Sequence, residues 1–192
     1  PTNNWNESLD FIKDKKCDFL SLAVRTPLMQ KELNLSSTIF KVPLVIATKL
    51  NVPFINKLEN LKEEKIAVPR KYLNIDFFKS KYSNLNIVEV ENVQEGLKLL
   101  KEGKVYGSVG TLYTVSYRIQ SEYFNDLKIA GKINDELEFV IGVNKNDEIL
   151  LNILQKSINK IDELHTKEII DKWASTIYEK IIDYNLIWQI VT

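Results

Sequence analysis

Two arginines stand directly after apolar runs that the sequence predicts to be strands. Arg25 follows Phe19–Val24. Arg70 follows Lys65–Val68 and one proline. A guanidinium at a strand end can hold a carboxylate or a phosphate through two parallel hydrogen bonds. Both arginines are therefore candidates for binding an anionic ligand group, and a solvated surface arginine is the alternative at each position.

The loop that follows Arg70 adds two candidates. Tyr72 could stack on a ligand or donate its hydroxyl, and packing in the core is the alternative. Lys71 lies between them, and a solvated side chain is the alternative for it. We therefore group Arg70, Lys71 and Tyr72 as one candidate ligand-binding loop.

Another candidate site follows the stretch Asn92–Thr114. Apolar residues at helical spacing predict a helix that ends at Gly103, and the short β-branched run Val105–Val109 predicts a strand. In an open α/β sheet, ligands bind beyond the carboxyl ends of the strands. We therefore expect Gly110 and Thr111 to face a ligand.

The stretch Trp5–Thr26 matches this unit at an offset of 88 residues, with Glu7 opposite Glu95 and Thr26 opposite Thr114. In both copies a helix with a lysine-rich end leads into a strand and then into a loop that contains threonine. The match predicts two similar lobes, each of which points a strand end at a shared cleft. Chance similarity between two helix–strand units is the alternative.

The composition narrows the kinds of function. Lysine plus arginine and aspartate plus glutamate number 26 each, so no net charge attracts nucleic acid. The single histidine, His165, has no acidic partner implied nearby, so we expect a surface residue rather than a general base. We expect the single cysteine, Cys17, to be a small buried hydrophobe. We therefore expect no metal site, no cofactor and no catalytic residue.

The order of the predicted elements favours an α/β fold. Residues 42–48, 65–68 and 86–90 are predicted strands, and strands alternate with helices between residues 51 and 126, which favours a mainly parallel sheet. Residues 127–131 and 136–143 are predicted as two further strands. Two helices follow, one over residues 148–160 with a broad apolar face and one capped by Thr166.

Several stretches, in this order, carry a family resemblance. They are W-N-E-S-L, K-K-C-D-F-L-S-L-A, R-T-P, L-N-L-S-S-T-I-F-K-V-P-L-V-I-A-T-K, K-I-A-V-P-R-K-Y, E-G-L-K-L-L-K-E-G-K-V-Y-G-S-V-G-T-L and L-K-I-A-G-K. Together they resemble bacterial solute-binding proteins of the amino-acid-binding type, known as family 3. The closer similarity is to Venus-flytrap sensor domains of membrane-bound histidine kinases and diguanylate cyclases, whose return segment resembles E-L-E-F-V-I-G-V-N-K-N-D-E-I-L-L-N-I-L-Q-K-S-I. The order and spacing of the motifs carry the resemblance, since no single motif is specific.

The resemblance implies the two-lobed, type II fold of periplasmic binding proteins. Residues 1–48 would form part of lobe 1, residues 49–130 would form lobe 2, and residues 131–192 would return to lobe 1 and end in helices of juxtamembrane type. The family has a further strand and helix ahead of the position of Trp5, so we expect the N-terminal part of lobe 1 to be missing here.

The resemblance also implies which residues face the ligand. Ser21 matches a position whose family counterpart reaches the ligand. Two charged anchors of the amino-acid binders are replaced, because Met29 stands where an arginine would clamp the ligand carboxylate and Thr111 stands where an acidic residue would receive the ligand amine. A plain α-amino acid is therefore not the expected ligand. The predicted ligand-binding residues are Ser21, Arg25, Thr26, Arg70, Lys71, Tyr72 and Thr111.

The leading functional hypothesis is a periplasmic, extracytoplasmic sensor domain that closes on a small ligand and signals to a membrane-linked output domain. A free periplasmic transport receptor of the ABC type is one alternative. A degenerate domain with a structural or dimerising role is another. A few relatives of the fold are dehydratases, but with Thr111 at the acidic position we do not expect an enzyme.

The end of the chain bears on the anchoring of such a domain. The tail Ile181–Thr192 is rich in apolar and aromatic residues, which favours a position just before a transmembrane helix outside this sequence. An ordinary terminal helix that packs on lobe 1 is the alternative. A homodimer is compatible with the resemblance, and the kinase or cyclase domain would belong to the parent protein.

Overall fold

The computed structural model of the chain describes residue 2 and residues 5–61, 63–70 and 75–173. The elements in chain order are α1 Trp5–Lys13, β1 Phe19–Val24, α2 Pro27–Glu32, β2 Leu33–Leu35, β3 Phe40–Lys49, a 3-10 turn Leu58–Asn60, β4 Lys65–Pro69, α3 Ile75–Lys81, β5 Asn86–Val90, α4 Val93–Lys101, β6 Gly107–Thr111, α5 Leu112–Arg118, a π-helical turn Ile119–Tyr123, β7 Leu127–Asn144, α6 Glu148–Ile158 and α7 Glu163–Trp173. None of the helices in the described residues is both long and apolar enough to cross a bilayer.

The strands form one mixed sheet in the order β1-β7-β3-β6-β4-β5, with β2 on β7. Strand β4 lies parallel to β5 and β6, as the alternation of strands and helices predicts. Strand β3 is antiparallel to both β6 and β7, so the prediction of a mainly parallel sheet is right only for β4, β5 and β6. The reason is that, after the parallel strands β4 to β6, the chain returns as β7, which pairs antiparallel with β3.

Strands β3 and β7 pass through both halves of the sheet. We call the elements on the β1 side of these strands, α1, β1, α2, β2 and α6, lobe 1, and those on the β5 side, β4 to β6 with α3 to α5, lobe 2. The two strands predicted over residues 127–131 and 136–143 are therefore one strand. The polar residues between them form a bulge rather than a turn.

The bulge lies where the chain passes from one lobe to the other. Pro43 pairs with Glu136 and Val45 pairs with Lys132, so two steps along β3 oppose four along β7. Three residues of β7, Ile133–Asp135, therefore lie opposite Leu44 alone. A bulge leaves backbone groups unpaired and increases the local twist, and proline cannot donate to the ladder. We call this irregular stretch the hinge bulge.

The cores of the two lobes differ in size. In lobe 2 the sheet is covered on both faces, by α4 and α5 on one side and by α3 with the segment from Val52 to Leu61 on the other. In lobe 1 the buried cluster among the described residues consists of Ile12, Leu20, Met29 and Leu33. The single cysteine is partly buried against this small cluster, close to its predicted role.

Several sequence-based predictions of local structure need correction. The polar stretch after Arg25 forms α2 and β2, because Thr26 caps a helix that begins at proline. Thr166 lies inside α7, where its hydroxyl donates to the carbonyl of Asp162 over 3.1 Å, and does not cap the helix. The apolar face of α6 is only partly covered, since Ile149 is 77% exposed and Ile153 is 57% exposed, whereas Ile158 is 8% exposed. The apolar spacing predicted the helix correctly but not what covers it.

Candidate functional site

The carboxyl ends of the parallel strands bring polar residues to one edge of lobe 2. Strand β4 is in register with β5 up to Pro69 and Val90, so Arg70 and Glu91 are the next residues on neighbouring strands. The backbone N–H of Arg70 donates to the carbonyl of Val90 over 2.9 Å, which fixes this register. Strand β6 ends at Thr111 beside the same edge. The structure therefore brings Arg70 and Thr111 together.

Thr111 is the last residue of β6 and the residue that precedes α5. Its side chain is only 7% exposed, and its hydroxyl donates to the hydroxyl of Thr114 over 2.9 Å. The strand runs to Thr111 rather than stopping at Val109, because the glycines of β6 allow close packing. A Cβ at Gly110 would lie 2.8 Å from a methyl of Val93 and 2.7 Å from one of Val115. The prediction that Gly110 faces a ligand is wrong, since that residue is packed between α4 and α5.

The charged groups at this edge are engaged with each other. The guanidinium of Arg70 forms an ion pair with the carboxylate of Glu91. At the start of α4, Asn92 accepts from the N–H of Glu95 over 3.0 Å, and the carboxylate of Glu95 accepts from the N–H of Glu91 over 2.7 Å. The first contact caps the helix, because it satisfies one of the donors that the first turn leaves free, and the second holds the backbone of the residue just before the cap.

Lys71 and Tyr72, the remaining members of the predicted loop, lie outside the described residues. Their assignment to the ligand site stays a prediction. Glu91 and Glu95 are residues of this edge that the sequence alone did not suggest. The signal was present, since Asn92 followed by glutamate three residues later marks a capped helix start.

In lobe 1, Thr26 and Met29 belong to the same helix start. The hydroxyl of Thr26 accepts from the N–H of Met29 over 3.1 Å, so it caps α2. The side chain of Met29 is buried in the small core of lobe 1. Met29, which replaces the arginine expected from the family, therefore serves packing in this chain.

Arg25 is held by a carboxylate at the base of lobe 1. Its Nε donates to Glu138 over 3.0 Å, and its terminal NH2 group donates to the carbonyl of Ser36 over 2.6 Å. Glu138 also accepts from Thr38 over 2.9 Å and pairs with Lys41 at 3.0 Å. We call this group the Glu138 clamp. The hydrogen bonds from Lys41 and Thr38 hold the pKa of the Glu138 carboxyl below its usual value.

The two sets of strand ends lie on opposite sides of β3. Glu138 pairs with Lys41 on one side, and Thr111 pairs with Leu44 on the other. Lys41 and Leu44 are three residues apart along β3, so the two pairs are separated by about 10 Å along the strand. Ser21 lies farther from this edge. Leu20 and Ala23, on either side of it, pair with Gly142 and Val140 of β7. Ser21 is therefore opposite a point of β7 that lies roughly 17 Å along the strand from Glu136. The structure does not bring Ser21 to the edge that holds Arg70 and Thr111.

A cavity of about 430 Å³ lies at the hinge bulge. It is lined by Lys41, Lys132, Ile133, Asn134, Asp135, Glu136 and Glu138. On its lobe 2 side, the hydroxyl of Tyr82 donates to Asp135 over 2.6 Å, and Lys81 forms an ion pair with the same carboxylate. Burial, and then this contact with Asp135, raises the pKa of Tyr82 above its ordinary value. None of the predicted ligand-binding residues lines this cavity.

The geometry can be compared with that of known proteins. No protein-family model matches the chain, and no curated protein sequence matches it. Among solved structures, the periplasmic VFT2 domain of BvgS from Bordetella pertussis matches with a TM-score of 0.80 at 19% identity, over 88% of this chain and 72% of that chain. This chain folds as a two-lobed Venus flytrap. An arginine-binding protein mutant, ArgBP from T. maritima, has the same fold with a TM-score of 0.72 at 21% identity, over 91% and 76% of the two chains.

The Venus flytrap of this chain also matches an ancestral arginine-binding protein bound to glutamine, with a TM-score of 0.71 at 20% identity, over 88% of this chain and 76% of that chain. The type II architecture expected from the sequence resemblance is therefore confirmed. The likeness concerns the fold. In the described residues, no cluster of histidine, cysteine, aspartate and glutamate could hold a metal ion.

Proposed function

We propose that this chain is an extracytoplasmic solute-binding sensor domain that closes its two lobes on a small ligand. The observation that carries the proposal is the pair of strands β3 and β7, which continue through both lobes and are irregular at the hinge bulge. In this proposal, the strand ends at Arg25 and Thr26 would face those at Arg70 and Thr111 across the cleft. A break in strand pairing is a place where two packed bodies can rotate relative to each other.

Closure would signal only if the ligand binds the closed state better than the open state. The helices that follow β7 are the route by which such a movement would leave the domain, since α6 contacts β2 and β7 of lobe 1. A periplasmic location and a membrane-linked output domain belong to this proposal. So does a lobe boundary at the hinge bulge, in place of the boundaries expected at residues 48 and 130. The BvgS neighbour, which is a periplasmic domain, supports the location.

The solved neighbours also support binding rather than catalysis, because two of them are arginine-binding proteins. A free transport receptor remains the nearest alternative. The sequence that the gene encodes after Thr192 distinguishes a transport receptor from a sensor. A transmembrane segment there supports the sensor, whereas a stop codon supports the receptor.

A degenerate domain with a structural or dimerising role is the second candidate. The observation that favours it is that Arg25 and Arg70, the two charged candidates among the described residues, both hold carboxylates of the protein itself. Such a domain would neither bind a solute nor change the distance between its lobes.

The decisive experiment measures closure directly. In a Cys17→Ser background, cysteines at the exposed positions Gln30 in lobe 1 and Gln94 in lobe 2 would carry spin labels. Small organic acids, amines, sugars and nucleobases would first be screened by thermal shift, and each hit would then be tested for a shorter distance between the labels. We expect at least one hit that both stabilises the protein and shortens the distance. Stabilisation at constant distance, or a screen without hits, would count for the degenerate domain.

A further inference from the structure

The contact between Arg70 and Glu91 follows from the backbone. Strands β4 and β5 are parallel and in register, and each of the two residues directly follows its strand. The N–H of Arg70 on the carbonyl of Val90 fixes the pair side by side. A carboxylate is thus placed beside the guanidinium by the register of the sheet, in the position that the anionic group of a ligand would take.

The start of α4, the other anion-binding feature of this edge, is capped. The first turn of a helix has free N–H groups and a partial positive charge, which favour an anion. Here the side chain of Asn92 accepts from one of these donors, the N–H of Glu95. The hydroxyl of Thr111 is engaged with Thr114. An anion that binds the guanidinium of Arg70 would have to displace Glu91.

Lobe 1 shows the same arrangement. Arg25, Thr38 and Lys41 all direct donors at a single carboxylate, that of Glu138. An arginine, a hydroxyl and a lysine around one carboxylate form a complete anion-binding group, and the protein fills it from within. Both arginines at the strand ends are therefore compensated by neighbouring glutamates.

We propose that Glu91 is an internal carboxylate ligand of Arg70, which removes this guanidinium as an anion-binding group and makes the cleft select against anionic ligands. This inference rests on the proposed function, since it names the ligand class of that cleft. It also gives a physical reason for excluding carboxylates that is independent of the residues at positions 29 and 111. A ligand with an anionic group would enter only by displacing Glu91.

The test uses sulfate as a probe, titrated into the 192-residue chain against sodium chloride at matched ionic strength. The side-chain Nε–H signal of Arg70 would be followed by NMR. Glu91→Gln removes the internal carboxylate and keeps the side-chain volume. Glu95→Gln is the matched control, because it makes the same change in net charge while leaving the Arg70–Glu91 pair intact. Arg70→Gln combined with Glu91→Gln removes the proposed site.

We expect Glu91→Gln to gain saturable sulfate binding that shifts the Arg70 signal, and to bind at least tenfold more tightly than the original chain. Glu95→Gln should respond like the original chain, and in the double variant the gained binding should be absent. Saturable binding at Arg70 in the original chain, or an equal gain in Glu95→Gln, would overturn the inference, as would no gain in a folded Glu91→Gln. The proposed function is tested separately by lobe closure, so either can fail alone.

Discussion

The two lobes share β3 and β7 but, among the described residues, form buried clusters of different size. Lobe 2 closes both faces of its sheet, and Ile66, Leu97 and Val109 are fully buried. Lobe 1 has a small cluster, and its edge strand β1 leaves Phe19 42% exposed and Leu22 49% exposed. Since burial of apolar surface is the main stabilising contribution, lobe 2 should supply most of the stability and lobe 1 should open first.

The comparison is tested most strongly by truncating one leucine in each core. Leu97→Ala in lobe 2 should cost about 4 kcal/mol, because its fully packed surroundings cannot collapse into the cavity. Leu20→Ala in lobe 1 should cost about 2 kcal/mol, because fewer buried neighbours surround it. Denaturant unfolding followed by hydrogen exchange measures both. Equal costs, or exchange that is no faster in lobe 1 than in lobe 2, would contradict the difference between the lobes.

Two glycines of β7 test the same contrast within one strand. A Cβ at Gly131, in lobe 2, would lie 2.3 Å from the carbonyl oxygen of Ile55. At Gly142, in lobe 1, the nearest atom is a methyl of Leu33 at 2.8 Å, at the flexible end of a side chain. We expect Gly131→Ala to cost about 3 kcal/mol and Gly142→Ala about 1 kcal/mol or less, measured by thermal unfolding. The reverse order would show that lobe 1 is the more tightly packed region.

The packing of α4 on the sheet of lobe 2 gives a coupled prediction. A Cβ at Gly96 would lie 2.4 Å from the hydroxyl oxygen of Ser108, which is buried and has no hydrogen-bond partner among the described residues. Gly96→Ala should therefore cost about 2 kcal/mol. Ser108→Ala should be neutral or stabilise by about 1 kcal/mol, because it removes an unsatisfied hydroxyl.

The double variant decides whether that clash is the cause. With Ser108→Ala present, Gly96→Ala should cost little or even stabilise, since the remaining neighbours of the new Cβ lie at 3.4 Å and 3.5 Å. The coupling free energy from the double-mutant cycle should exceed about 1 kcal/mol. Additive effects of the two substitutions would mean that α4 shifts away from the sheet and relieves the contact with Ser108. Lobe 2 would then be less rigid than the burial of its side chains indicates.

The smallest expected effect concerns the Glu138 clamp at the base of lobe 1. Hydrogen bonding lowers the pKa of Glu138 in the folded protein from its ordinary value of 4.5. The clamp therefore stabilises the protein above that pH. Its contribution, below about 1 kcal/mol for a partly exposed group, should be lost as the pH falls from 4.5 through the lowered pKa. Glu138→Gln should remove this dependence, whereas Glu136→Gln, next but one along β7, should preserve it. Urea unfolding between pH 3 and pH 6 (a range of about three units around the ordinary carboxyl pKa) measures the difference.

The accuracy of the sequence-based predictions also differs between the two lobes, and it is higher in lobe 2. In lobe 2 the local signals agree with the fold: β4, β5 and α4 begin and end close to the predicted residues, and Gly103 has the positive φ of 75° that ends a helix. The candidate residues of the β4 and β6 ends also come together, because parallel strands end at the same edge. What the sequence could not predict was their partners, since Glu91 meets Arg70 only through the pairing of two strands.

In lobe 1 and at the hinge, local patterns were less informative. The residues from Asn134 to Glu136 carry the polarity of a turn, yet the long pairing with β3 holds them in one strand with a bulge. The spacing of apolar residues in α6 predicted a helix with a broad apolar face, but a periodic pattern does not specify what packs against that face. Ser21 stays apart from the other candidates, because its distance from them depends on the register of β1 with β7.

The sequence by itself determined the α/β class, most helices and strands of lobe 2, and the positions at which polar residues follow strands. Those features depend on residue type and spacing within a few residues of each other. Only the tertiary structure decided that residues 127–144 form one strand through both lobes, and that the arginines at the strand ends are neutralised by Glu91 and Glu138. Those features depend on strand register, which joins residues that are distant in the chain and that no local pattern pairs.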